Sequence, residues 1–162
     1  MTRERFIELV RSNQEPLRRF LITLCCGNRE EAEDIAQDSL VKAYLSSPSF
    51  EEKAKFSTWL FRIAYNTYLD REKRAGSNIR FTVIGDAGWI PVESVEEEKY
   101  KYQSLYQALE QISERERTAI LLHYIGGYSV KESATVMNCS AGALKLLLMR
   151  GRIKLKAILD LE

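Results

Sequence analysis

SVKESATVMNCSAGALKLLLMRGRIKL, residues 129–155, is the stretch on which the fold turns. Ser129 with Glu132 three residues on forms a capping box, where hydroxyl and carboxylate each satisfy an otherwise orphaned backbone N–H. Ala134, Val136 and Met137 supply the apolar positions of a short helix. Asn138-Cys139-Ser140 then makes a tight turn, and a last helix runs from Ala141 to about Leu161. Two helices across a tight turn, the second strongly basic, read as a helix-turn-helix. Lys145, Arg150, Arg152, Lys154 and Lys156 place five positive charges between Ser140 and Ala157 with no acid among them, in a 162-residue chain whose net charge is only +1. Charge gathered on one helix is the footprint of a surface laid against phosphates. A charge run alone reads as a solvated face; its place in a helix-turn-helix is what turns the reading to DNA.

Upstream, Ser113 and Glu116 form another capping box, preceded by the stripe Leu105, Ala108, Leu109, Ile112 and followed by Ala119, Ile120 and Leu122 up to Gly126-Gly127. The N-terminal half carries three more stripes at helical spacing. Phe6, Leu9 and Val10 open the first, and Leu17, Phe20, Leu21 and Leu24 continue it after Pro16 to the stop at Gly27-Asn28. Ala32, Ile35, Ala36, Ser39, Leu40, Ala43 and Tyr44 form the second, which ends at Ser46-Ser47-Pro48. Phe56, Trp59, Leu60, Ile63, Ala64 and Thr67 form the third, to about Lys73. Ala75–Val95 has no helical period, holds Gly76, Gly85, Gly88 and Pro91, and runs into Glu93 and Glu96–Glu98. It reads as a linker, with a short strand at Arg80–Ile84 as an alternative. About 20 extended residues at ~3.3 Å each reach ~65 Å, close to two turns of duplex at ~34 Å. The expected fold class is all-α: two small helical domains, residues 1–74 and 104–162, joined by a flexible linker at 75–103.

Hydrophobic residues make up 45% and charged residues 29% of the chain, an ordinary balance for a folded, soluble protein. The opening MTRERFIELV is too charged for a signal peptide and no apolar run is long enough to span a membrane, so a cytoplasmic protein without membrane partners is expected. Cys25, Cys26 and Cys139 cannot make a disulfide framework, and with His123 they miss the usual zinc-ligand spacings. They read as small buried hydrophobes in a reducing compartment. There is no glycine-rich phosphate loop and no spacing that suggests a Ser-His-Asp set. No enzyme activity, metal or cofactor is expected.

Two further constellations carry chemistry. On the third stripe, Lys53, Lys55, Arg62, Arg71, Lys73 and Arg74 interleave with Phe56, Trp59, Phe61, Tyr65 and Tyr68. Bases of melted DNA stack on aromatic faces while cations hold the backbone. Trp59 and Phe56 fall on the buried stripe; Phe61, Tyr65 and Tyr68 fall nearer its boundary. On the second stripe, Glu30, Glu31, Glu33, Asp34 and Asp38 surround Gln37. Carboxylates suit a helix N-terminus, but an excess this large beside a basic face points to a protein partner.

These segments resemble the sigma-70 family of RNA polymerase sigma factors. AEDIAQDSLVKAY (Ala32–Tyr44) resembles region 2.2, KFSTWLFRIAYNTYLDREKR (Lys55–Arg74) resembles regions 2.3 and 2.4, and Ile112–Leu155 is similar to region 4. Two such domains with only a linker between them match the extracytoplasmic-function (ECF) group. The resemblance implies that Asp34, Ile35, Gln37 and Asp38 bind the clamp of the largest polymerase subunit. It implies −10 recognition and melting by Lys53, Lys55, Phe61, Arg62, Tyr65, Asn66, Arg71, Lys73 and Arg74, with the loop Ser46–Lys55 capturing a flipped base. Ser140, Lys145, Met149, Arg150, Arg152 and Lys154 would meet the −35 region, and region 4 would dock on the flap of the second-largest subunit. The linker would thread toward the RNA exit path. The implied function is promoter-specific initiation with core polymerase, under an anti-sigma or recruiting protein.

Region 4 departs from the family pattern at Leu146 and Leu147, where polar or basic residues are usual, and Gly151, between the later arginines, weakens the helix by about 1 kcal/mol relative to Ala. Leu144 and Leu148 fall on the buried stripe. Leucine cannot hydrogen-bond a base edge, so Leu146 and Leu147 either touch thymine methyls, pack in a shifted helix, or form a partner-protein face with −35 readout reduced. Two other functions remain open: a stand-alone helix-turn-helix regulator, and a degenerate member that occupies polymerase without initiating.

Overall fold

The computed structural model describes residues 1–75 and 95–160. Among the described residues seven α-helices follow one another: α1 (Arg3–Leu24), α2 (Arg29–Ser46), α3 (Phe56–Ala75), α4 (Val95–Glu110), α5 (Glu114–Ile120), α6 (Val130–Met137) and α7 (Ala141–Asp160). A 3-10 turn, Ser47–Ser49, lies between α2 and α3, and a π-helical turn, Leu121–Ile125, continues α5. No strand occurs among the described residues. The alternative strand at Arg80–Ile84 lies outside them, as does most of the expected linker. α4 begins at Val95, within the C-terminal end of the expected linker.

Side chains cap four helices, two of them at the capping boxes expected from the sequence. Thr2 accepts from Arg5 N and Asn28 from Glu31 N, both at 3.1 Å. Ser113 with Glu116 and Ser129 with Glu132 form complete capping boxes. Asn138 adopts the left-handed conformation (φ 54°) that ends α6 and sets up the tight turn. α1 runs unbroken through Pro16, so the stripe that continues after the proline belongs to one helix.

Leu17, Leu21, Leu24, Ile35 and Leu60 form the dry centre of α1–α3, and Leu109, Leu122, Val136 and Leu144 that of α4–α7. These are one continuous core: α3 packs on α6 and α1 packs on α5. Gly151 lies buried where α7 crosses α5, and a Cβ there would sit 2.4 Å from Ile120 Cδ1. The glycine weakens the isolated helix but permits this close approach. Burial raises the Cys25 thiol and pushes Cys26 up to about 11, which keeps both as inert thiols at neutral pH.

Candidate nucleic-acid and partner interfaces

α2 buries Ala32, Ile35, Ala36, Ser39 and Ala43 against its neighbours. Asp34, Gln37 and Asp38 are therefore turned outward and exposed. Ile35 is fully buried, so its expected place on the binding surface is corrected: it anchors the helix that presents the acids. Arg71 of α3 reaches across to Asp38 at 3.1 Å and Asp34 at 3.5 Å. Glu33 belongs to a different contact. Its two oxygens accept from the Arg18 guanidinium at 3.0 Å each, and that bond first, with the nearby positive charge, holds its carboxyl below the usual range. Sequence reading missed the lower half of this face. Val41 and Leu45 are exposed, Leu45 by 72%. The spacing 34, 38, 41, 45 places them on one line with the acids, which was the available signal.

α3 splits into two faces. Lys53 and Lys55 in the loop before it, and Arg62, Asn66, Lys73 and Arg74 along it, are exposed; Arg71 is half-buried on its acidic partners. Phe61, Tyr65 and Tyr68 are buried instead of lying at a boundary. The Phe61 ring sits 5.1 Å from Phe20 and 5.3 Å from Tyr128. Tyr65 Oη donates to Glu114 Oε2 at 3.1 Å; burial first, then the Glu114 charge, raises its phenol. Burial likewise raises the Glu114 carboxyl. Arg117, itself buried, donates to Leu109 O at 2.9 Å and Leu24 O at 3.0 Å, with longer contacts to Tyr68 Oη and Ile112 O at 3.4 Å. Lys55 pairs with Glu132 at 2.9 Å, and that hydrogen bond is the main reason the Glu132 carboxyl titrates below its usual range. The aromatic side of α3 is thus closed under α5 and α6. Between Arg62 and the helix-turn-helix residues Lys131, Thr135, Asn138 and Ser140 lies an open cleft of about 520 Å³.

On α7, Leu144, Leu148 and Gly151 face the core, as expected for the two leucines. Ser140 Oγ accepts from Ala143 N at 3.1 Å and caps the helix. Lys145, Met149 and Arg150 are exposed. Arg152 Nη1 donates to Tyr124 Oη at 2.8 Å. Lys154 is held by buried Glu116 at 3.0 Å. Burial acts to raise the Glu116 carboxyl, but Lys154 and the Ser113 hydrogen bonds overcome it and hold the group low. Leu147 is half-buried against the core, which corrects the expected outward pair: only Leu146 of the two is exposed.

A helix-turn-helix with a basic outer helix, set beside a three-helix unit with an acidic and a basic face, defines a two-part DNA-binding protein built to meet a protein partner as well. Residues 9–77 match sigma-70 region 2 and residues 102–155 match sigma-70 region 4. The ECF RNA polymerase sigma factor SigW of Bacillus subtilis is 32% identical over 80% of this chain and 76% of its own length. The RNA polymerase sigma-H factor of Pseudomonas aeruginosa is 31% identical, over 82% and 75%. Among solved structures, the sigma factor RpoE in complex with the anti-sigma factor NepR from Bartonella quintana superposes with a TM-score of 0.81 at 26% identity, covering 98% of this chain and 99% of that one. CnrH, solved with the cytosolic domain of CnrY, shares the fold at 24% identity (TM-score 0.76, coverage 99% and 91%). The chain belongs to the sigma-70 family, in its extracytoplasmic-function group, and is a sigma factor that works with core RNA polymerase in promoter-directed transcription initiation. No cluster of potential metal ligands occurs among the described residues, and no helix there is long and apolar enough to cross a membrane.

Proposed function

We propose that the outward face of α2, Asp34, Gln37, Asp38, Val41 and Leu45, seats this sigma factor on the largest-subunit clamp of the polymerase. α3 then recognises and opens the −10 element through Arg62, Asn66 and the basic end at Lys73 and Arg74. Lys145 and Arg150 of α7 approach upstream phosphates. The chain acts in the cytoplasm as a binding subunit and not as an enzyme. The observation that carries this reading is the α2 face, half acidic and half apolar, opposite the core side of its helix. A stand-alone regulator has no use for that face. Phe61 and Tyr65 lie under α5 and α6, so the two halves separate before α3 takes a melted strand. The RpoE–NepR complex supports a protein antagonist for this chain too.

The test is Asp38→Asn, alone and with Asp34→Asn, read by core-polymerase binding and by run-off transcription. The Asp38–Arg71 pair is largely exposed, and such pairs contribute about 0–1 kcal/mol, so the fold survives the change. The expected result is at least tenfold weaker core binding and a matching loss of transcript. Unchanged core binding, with duplex binding intact, would move the stand-alone regulator ahead.

A further inference from the structure

The cleft between α3 and the helix-turn-helix exists only while the two halves lie together, and the promoter reading gives it no task. Arg62 lines it from the first half; Lys131, Thr135, Asn138 and Ser140 line it from the second, around about 520 Å³. The side chains of Arg62, Lys131 and Asn138 are exposed and have no hydrogen-bond or ion-pair partner among the described residues. Ser140 Oγ accepts from Ala143 N, which leaves its own proton free to donate. No carboxylate and no aromatic ring lines the cleft. Glu132, next to Lys131 in the chain, is taken by Lys55 at 2.9 Å. Closure thus brings an uncommitted guanidinium and an uncommitted ammonium to one space, with no negative charge in its lining to offset them.

We propose that this cleft binds a small molecule carrying a chain of two or more phosphates, and that the bound anion holds the two halves together. The site stands on the closed geometry. That its occupation delays initiation rests on the sigma-factor reading, in which the halves separate before α3 takes a melted strand. Two like charges brought together repel, and an anion between them turns that repulsion into attraction to both. A guanidinium grips phosphate oxygens through paired N–H groups, while an ammonium meets them as a point charge. Cations on separate elements call for a ligand charged at both ends, which a phosphate chain is and a single carboxylate is not. The volume suits a small molecule. With no ring in the lining to stack on a base, recognition is of the phosphates and not of a nucleoside. A DNA strand is a different occupant: its bases stack on aromatic faces, and Phe61, Tyr65 and Tyr68 are buried in the closed molecule. A ligand that binds only the closed form stabilises it by mass action.

The test uses the full chain alone, with inorganic triphosphate as the probe and orthophosphate and sulfate at matched ionic strength as controls. Calorimetry measures binding, and a fluorophore pair at the exposed positions Glu8 and Lys156 reports closure. The pair is followed in Arg117→Met, which removes bonds that cross between the halves. Arg62→Gln and Lys131→Gln change only exposed side chains, and circular dichroism and thermal unfolding verify their folds. The expected result is triphosphate binding at least tenfold tighter than either control, at least tenfold loss in each of the two glutamine variants, and a shrinking open fraction in Arg117→Met as triphosphate is added. Adenosine triphosphate, run in parallel, tells a nucleotide from a free phosphate chain and is expected to bind no tighter. Equal binding of sulfate overturns the proposal, because it reduces the cleft to general counter-ion attraction. Loss in only one glutamine variant overturns it by placing the anion on one half. So does an open fraction that triphosphate leaves undiminished, or a single-stranded oligonucleotide that closes the molecule as triphosphate does, which returns both cations to DNA. Core binding by Asp38→Asn bears on the sigma-factor reading alone, so failure of that reading is told apart from failure of the site.

Discussion

Replacing Arg117 with methionine separates the bonds that hold the two halves together from those that hold the second half itself. The side chain keeps its bulk but loses every donor. Two of its bonds, to Leu109 O and Ile112 O, stay within the second half; the other two, to Leu24 O and Tyr68 Oη, cross to the first. A hydrogen bond from a charged group contributes about 1.5–3 kcal/mol, and the 3.4 Å contact to Tyr68 adds little. The crossing share is therefore about 2 kcal/mol, a factor of roughly 30 in the ratio of open to closed molecules. A fluorophore pair at the exposed positions Glu8 and Lys131 measures that ratio, and denaturant unfolding measures global stability separately. Arg117→Lys should open the molecule similarly, because one ammonium cannot reproduce the fork of guanidinium bonds. An unchanged distance distribution accompanied by lost global stability would refute the reasoning and make Arg117 a residue of the second half only.

Closure should also respond to pH through two carboxyls of opposite sense. Glu114, raised by burial, contributes fully below the ordinary carboxylate value near 4.5 and loses that contribution as pH rises through its elevated value. Glu114→Gln should flatten that limb and tighten closure at neutral pH. Glu132, held low by Lys55, contributes above the ordinary value and is lost as pH falls, so Glu132→Gln should flatten the acid limb. The same fluorophore pair, followed across pH, checks both. Gly151→Ala should destabilise, because overpacking costs about 1–3 kcal/mol against a helix-propensity gain of about 1. In an Ile120→Val background, which removes the methyl 2.4 Å away, the same change should turn stabilising in denaturant unfolding.

What could be read in advance was local. Ser113, Ser129 and Asn138 act within a few residues of themselves, so caps, turn and helix-turn-helix were legible from spacing. The acids of α2 were legible as outward-facing because the core side of that helix has a clean period. The closure was not legible. Tyr65 meets Glu114 and Tyr68 meets Arg117, each from 49 residues away, and a helix packed on two sides carries a wider buried arc than one stripe suggests. On α3 that arc, from Leu60 through Phe61 to Tyr65, absorbed aromatics that spacing left at the edge. The packing of Leu147 and the pairing of Lys154 with Glu116 were not legible for a related reason, since their partners lie on other helices. Gly151 looked like a weakness because only the neighbouring Ile120 explains it.

That glycine has a consequence for recognition. With the Ile120 side chain packed directly on the α7 backbone at Gly151, the helix has little room to roll, so the direction in which α7 aims its outer residues is set before any ligand arrives. A preorganised surface loses little conformational freedom on association. Differences among its ligands should then appear chiefly in how long they stay, with arrival rates nearly alike. A bulkier residue at 151 would re-aim the helix and blunt that discrimination without touching a single contacting side chain.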